Sequence, residues 1–141
     1  MDKIEFHYEV DGDDFTNAGS ASTDFKRKLK KMHITPAIVR RVAIAMYEGE
    51  INMVIHADGG YIDTEISQGE IVLRLCDRGP GIENVKKAMT EGYSTATDKV
   101  RELGFGAGMG LPNMKKSTDE MHIETQLGVG TTVEMKIYIN Q

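Results

Sequence analysis

The stretch "HITPAIVRRVAIAMYEGEINMVIHADGG", from His33 to Gly60, constrains the fold more than any other part of the chain. Its apolar residues recur at helical spacing, Thr35 is placed to cap a helix, Pro36 suits the first turn, and the Gly59-Gly60 pair predicts the stop. A helix this long and this apolar must bury most of its surface, and the segments around it read as the strands of a sheet. "KIEFHYEV" alternates as an opening strand, followed by the turn "DGDD". A shorter helix is expected from Ser20 or Ser22, carrying Phe25, Leu29 and Met32 inward and the basic run "KRKLKK", Lys26 to Lys31, outward.

"YIDTEISQGEIVLRLCD" divides into two strands joined at Gln68-Gly69. A short helix is expected in "ENVKKAM", a loop from Glu91 to Leu103, a helix in "LPNMKKS", and a final hairpin of "EMHIETQ" and "TTVEMKIYI" turning at "LGVG". This order predicts an α+β fold with the helices packed on one face of a sheet, built as one domain over residues 1–141. The net charge of -5 argues against general nucleic-acid binding. The single cysteine, Cys76, excludes an internal disulfide and fits a reducing compartment. No apolar run long enough for a membrane span and no signal peptide is read, so the expected location is cytoplasmic.

Three strings carry chemistry. "GFGAGMGLPNMKK" sets four glycines at every second position before a helix. Glycine is costly there unless the backbone must approach something closely, and an anion at a helix N-terminus is such a thing. A flexible surface loop has a similar composition. On the long helix, Glu48, Asn52 and His56 recur at spacing four and share one face. Asn52 offers a neutral oxygen to Mg2+, and Glu48, one turn away, is placed to accept a proton. His56 reads more readily as a cap of the helix end than as a catalytic group, and Glu50 points elsewhere and is the poorer base. A solvated helix edge is the competing reading of the stripe. Third, "EIVLRLCDRGPGI" ends an apolar strand in Asp77 before a Gly-Pro-Gly turn. Such a carboxylate can accept a hydrogen bond from an exocyclic amine, as in adenine, although an Asp-Gly turn without a ligand is the commoner meaning of that string by itself.

In this order, "EGEINMVIHA", "DRGPGI", "GFGAGMGL" and "GVGTT" resemble the N-box and three glycine boxes of the GHKL ATP-binding family, over Glu48 to Thr132. The resemblance implies the two-layer Bergerat fold, with helices on one face of a mixed, mostly antiparallel sheet. "EGYSTATDKVRELGFGAGMGLPNMKKSTDEMHIET" is most similar to bacterial anti-sigma-factor and stressosome switch serine/threonine kinases. Residue by residue, the resemblance implies Glu48 as general base and Asn52 as the Mg2+ ligand. Asp77 would read adenine, with Gly79 and Gly81 as the turn beneath it. Gly106, Gly108 and Gly110 would contact phosphate ahead of the helix entered at Leu111, with Thr131 and Thr132 as the hydroxyls of the third box and Tyr93 to Leu103 as an ATP lid.

The implied activity is ATP- and Mg2+-dependent phosphorylation of Ser or Thr on a STAS-domain antagonist, in a pathway that includes a sigma factor or a phosphatase activator. The alternative is a nucleotide-gated binding module that sequesters a sigma factor or activates a phosphatase without phosphotransfer. Homodimerisation is a further property of some relatives.

Overall fold

Two layers, helices over a sheet, make up the computed structural model of the chain, which describes residues 3–12, 14–56, 59–79, 89 and 110–139. The elements run β1 (Ile4–Asp11), α1 (Ser20–Lys31), α2 (Pro36–His56), β2 (Gly59–Ile66), β3 (Glu70–Asp77), α3 (Gly110–Ser117), β4 (Glu120–Gln126) and β5 (Gly130–Tyr138). The strands form one sheet in the order β1-β2-β3-β5-β4, and every neighbouring pair is antiparallel. The α+β layering expected from the element order is therefore present.

Strand alternation separates the two faces of this sheet. Ile71, Leu73 and Leu75 of β3 and Val133, Met135 and Ile137 of β5 are buried beneath the helices. The intervening residues face away and pair across strands: Arg74 lies opposite Glu134 with its Nη2 2.7 Å from Oε2, and His7 lies opposite Asp63 with a hydrogen bond between them. One face is thus apolar and covered, the other polar and open, as an antiparallel sheet allows.

On α1, Phe25 and Leu29 are fully buried, each stabilising the fold by about 1.5–3 kcal/mol. Phe25 meets the rings of Phe6 and Tyr8 edge-on at 6.1 and 6.5 Å between centroids. The basic run does not form one surface. Leu29 within it is core, and Lys28 lies over the Phe6 ring at 4.1 Å while pairing with Asp24 at 2.8 Å. The hydrogen bond that Lys28 donates to Asp24 raises the Lys28 pKa above its ordinary value and lowers that of Asp24. The helix closes in a Schellman arrangement, with Ile34 N–H donating to Leu29 O at 3.2 Å and His33 N–H to Lys30 O at 3.1 Å. His33 takes the left-handed conformation, φ 61°, that glycine more often supplies there.

α2 begins at Pro36 as expected, with Thr35 O accepting the bond from Val39 N–H. Its end differs in meaning from the expectation. Gly59 and Gly60 do more than stop the helix: they are the first two residues of β2, at φ 79° and 152°. A Cβ on Gly59 would stand 2.1 Å from Val10 O, and one on Gly60 2.0 Å from Cys76 O, so glycine is required by the strands on either side. The hairpins at Gln68-Gly69 and "LGVG" are present. The short helix expected in "ENVKKAM", apart from Met89, and the loop expected from Glu91 to Leu103 lie outside the described residues. Among the described residues no helix is long and apolar enough to cross a membrane.

Candidate functional site

Glu48 and Glu50 stand two residues apart on α2, about 200° around the helix at 100° per residue, and they meet different neighbours. Glu50 is 1% exposed. Its Oε2 accepts the N–H groups of Gly19 and Ala21 at 3.0 and 3.2 Å, and its Oε1 accepts that of Ser22 at 2.9 Å. These are the donors a helix N-terminus leaves without intrahelical partners. The residue at the start of α1, Gly19, has no side chain to cap them. A carboxylate from another helix does so instead, with its charge at the positive end of the helix dipole.

Glu48 turns toward α3. Its Oε1 accepts a hydrogen bond from Asn113 Nδ2 at 3.2 Å. One turn along α2, Asn52 lies against the first residue of α3: a Cβ on Gly110 would fall 2.7 Å from Asn52 Nδ2 and 3.3 Å from its Cγ. The pair Glu48 and Asn52, four apart, thus faces the pair Asn113 and Gly110, three apart, and the two helices meet along that ladder. Gly49, in mid-helix, lets the helix close on the layer below. A Cβ there would reach 2.2 Å from Leu75 Cδ2 and 3.3 Å from Met114 Sδ.

Asp77 ends β3 on the covered face of the sheet, two residues beyond Leu75. Its Oδ1 accepts Gly79 N–H at 3.0 Å and Thr131 N–H at 2.9 Å, which holds the carboxylate at the strand end and leaves Oδ2 outside that pair. Two glycines pack against its backbone. Gly60 pairs with Asp77 in register, and a Cβ on Gly130 would fall 2.2 Å from Asp77 O. The buried Thr131 shares a hydroxyl hydrogen bond with Thr125 at 2.9 Å. Met53 ties this corner to α2, since its Cε would stand 2.9 Å from a Cβ on Gly60.

The structure therefore brings Glu48, Asn52 and Gly110 together, and Asp77, Gly79 and Thr131 together, under the same stretch of α2. Thr132 does not join them. By strand alternation it lies on the open face, opposite Cys76. Leu111 turns its side chain into the core, so only its backbone is free to face a ligand. Gly81, Gly106 and Gly108 lie outside the described residues, and His56 is the last residue of α2. Sequence reasoning missed Asn113, whose partner Glu48 lies 65 residues away along the chain. The capping role of Glu50 had no local signal either, because its partners lie 28 to 31 residues away.

Chemically, the ladder presents a carboxylate and an amide oxygen beside the start of a helix, where a phosphate group is favoured. The strand end presents a fixed carboxylate between glycines, where a flat polar ring can approach the backbone. A profile of the histidine kinase-like ATPase domain matches residues 14–137. The chain belongs to that family. Similar members include the anti-sigma F factor of Thermoanaerobacter sp., 34% identical over 106 residues, spanning 70% of this chain and 68% of that protein. The serine/threonine-protein kinase RsbT of Bacillus subtilis is 32% identical over 98 residues, spanning 67% of this chain and 68% of that one. Among solved structures, the catalytic domain of the histidine kinase ThkA in a nucleotide-free form superposes with a TM-score of 0.56 at 18% identity, covering 99% of this chain and 97% of that one. This last likeness is one of fold. It accords with the two-layer ATPase-domain architecture, helices on one face of a five-stranded antiparallel sheet.

Proposed function

We propose that the chain is an ATP- and Mg2+-dependent serine/threonine protein kinase and anti-sigma regulator, acting on a STAS-domain antagonist in a cytoplasmic partner-switching pathway. The observation that carries this reading is the ladder in which Glu48 and Asn52 of α2 meet Asn113 and Gly110 of α3. In this reading Glu48 would serve as the base and Asn52 as the cation ligand, both beside the helix that the glycine run enters. The names of the relatives, an anti-sigma factor and a serine/threonine kinase, support it.

The donor sets suit the groups this reading requires. Asp77, with Oδ1 already engaged by two N–H groups, offers its carboxylate to the adenine amine over the Gly79 and Gly81 turn, with Thr131 beside it. Gly106, Gly108 and Gly110 would lie along the phosphates. Asn52 would give Mg2+ one neutral oxygen, with the remaining ligands coming from phosphate and water. Bound there, the cation would neutralise charge on the transferring group. Glu48, oriented by Asn113, would take the proton of the acceptor hydroxyl as that oxygen bonds to the γ-phosphorus and ADP leaves with the former bridging oxygen. The phosphate placed on the antagonist would add about -1.5 to -2 charge and break its packed contact with a partner. In this reading residues 1–141 act as one ATP-binding unit.

A second reading follows from the anti-sigma names. The chain would hold a sigma factor, or activate a phosphatase, with nucleotide shaping its surface and no transfer. Incubation with ATP labelled on the γ-phosphate and each STAS-domain protein of the same organism separates the two. Label on one such protein, reduced about 100-fold or more in Glu48→Ala, is the expected result. ATP binding without label on any of them would replace the kinase with the binding module.

A further inference from the structure

Between the outer faces of α1 and α2 runs a groove of about 920 Å3. Val39, Ile44 and Tyr47 contribute its apolar surface, and Ile44 and Tyr47 remain 40% and 41% exposed. Lys26 and Lys30 from α1 and Arg40 from α2 stand along it, and no acidic side chain lines it. In a chain of 22 acidic and 17 basic residues this is a local reversal of charge. Among the described residues these three cations have no ion-pair partner, whereas Arg27 and Lys28 face Asp24 and Arg41 faces Asp119. Within the basic run of α1, Arg27 and Lys28 are thus neutralised while Lys26 and Lys30 are turned to an apolar trough.

We infer that this groove is a docking site for an acidic amphipathic helix of a partner protein. The lining of α2 from Pro36 to Tyr47 extends about 16 Å at 1.5 Å per residue, the length of three helical turns. An apolar floor with charged edges is what a helix laid in a groove requires: apolar anchors at i, i+3/i+4 and i+7, flanked by carboxylates. Among the described residues a second copy of this chain offers no such face. Glu48 and Glu50 of α2 are directed to α3 and to the start of α1, and Asp24 of α1 is paired with Lys28. A membrane surface fits poorly, because the trough is recessed between two helices and the chain as a whole is negative. The inference does not depend on the nucleotide-site reading.

The test is selection of helical peptides from an unbiased display library against the intact chain, with affinities measured by fluorescence anisotropy. Recovered peptides should combine Asp or Glu with apolar residues at helical spacing. Their binding should weaken with salt and fall about ten-fold or more in Lys26→Glu/Lys30→Glu. If that double variant loses its fold by circular dichroism, Arg40→Glu and Ile44→Ser separately should give the same direction of change. Neutral or basic peptides, or acidic ones that bind every folded groove variant as they bind the parent, would overturn the inference. So would self-association in sedimentation that the groove variants abolish, or retention on phosphatidylglycerol vesicles that depends on Lys26 and Lys30.

Discussion

Replacing Glu50 with alanine should be among the most damaging single changes in the chain, although the residue is a glutamate on a helix beside a proposed base. The Glu50 carboxylate accepts three backbone N–H bonds from Gly19, Ala21 and Ser22, and all three donors belong to buried residues. Each buried donor left without a partner costs about 1–3 kcal/mol, so the lower estimates alone sum to about 3 kcal/mol. For a chain of 141 residues that corresponds to a fall of about 10 °C in Tm. Glu50→Gln keeps one acceptor oxygen but turns an amide donor toward other donors, and an intermediate loss of about 1–2 kcal/mol is expected. Glu48→Ala, which removes a half-buried side chain with one bond to Asn113, should cost less than about 1 kcal/mol. Urea and thermal unfolding followed by circular dichroism read all three. A Glu50→Ala protein within about 0.5 kcal/mol of the parent would refute the capping account.

Two further substitutions separate other causes. Gly130 and Gly128 both have positive φ, 150° and 80°, but a Cβ on Gly130 would strike Asp77 O while one on Gly128 meets nothing within 4 Å. Gly128→Ala should therefore lose about 1 kcal/mol from backbone strain alone, and Gly130→Ala at least about 2 kcal/mol more, as measured by the urea midpoint. On the open sheet face, the hydrogen bonds of His7 to Asp63 and Glu9 raise its pKa above 6.5. Stability from this raised group is complete below the unfolded pKa and is lost as pH rises through the folded one. The Tm difference between the parent and Asp63→Asn should accordingly be largest in mild acid, at about pH 5 to 6 where the imidazole is charged and carboxylates are still ionised, and shrink above neutrality. A gap that grows with pH would contradict the pairing.

Much of this architecture was legible because it depends on short-range patterns. The alternation of "EIVLRL" and the helical spacing of Phe25 and Leu29 locate strand and helix without any knowledge of their neighbours. Gly59 and Gly60 were legible as a stop but not as the opening of a strand, since their requirement comes from Val10 O and Cys76 O on the strands beside them. The same holds for Gly49, explained only by Leu75 beneath it. Within the candidate site, the spacing of Glu48 and Asn52 was readable, and so was the strand end at Asp77. The separation of Thr131 from Thr132 follows from pleat parity and could have been drawn from the strand alone. The bond between Asn113 and Glu48 joins residues 65 apart, and no local period reports it.

The central claim, that Asp77 with its flanking glycines receives the adenine of a bound nucleotide, is tested most directly by calorimetric titration of ATP and ADP into the parent and Asp77→Asn. Asparagine keeps an oxygen for the N–H groups of Gly79 and Thr131 while removing the charge. Loss of a hydrogen bond to a charged group, about 1.5–3 kcal/mol, should weaken both nucleotides alike by about 10- to 100-fold in a variant that melts like the parent. Unchanged affinity for both would contradict the claim.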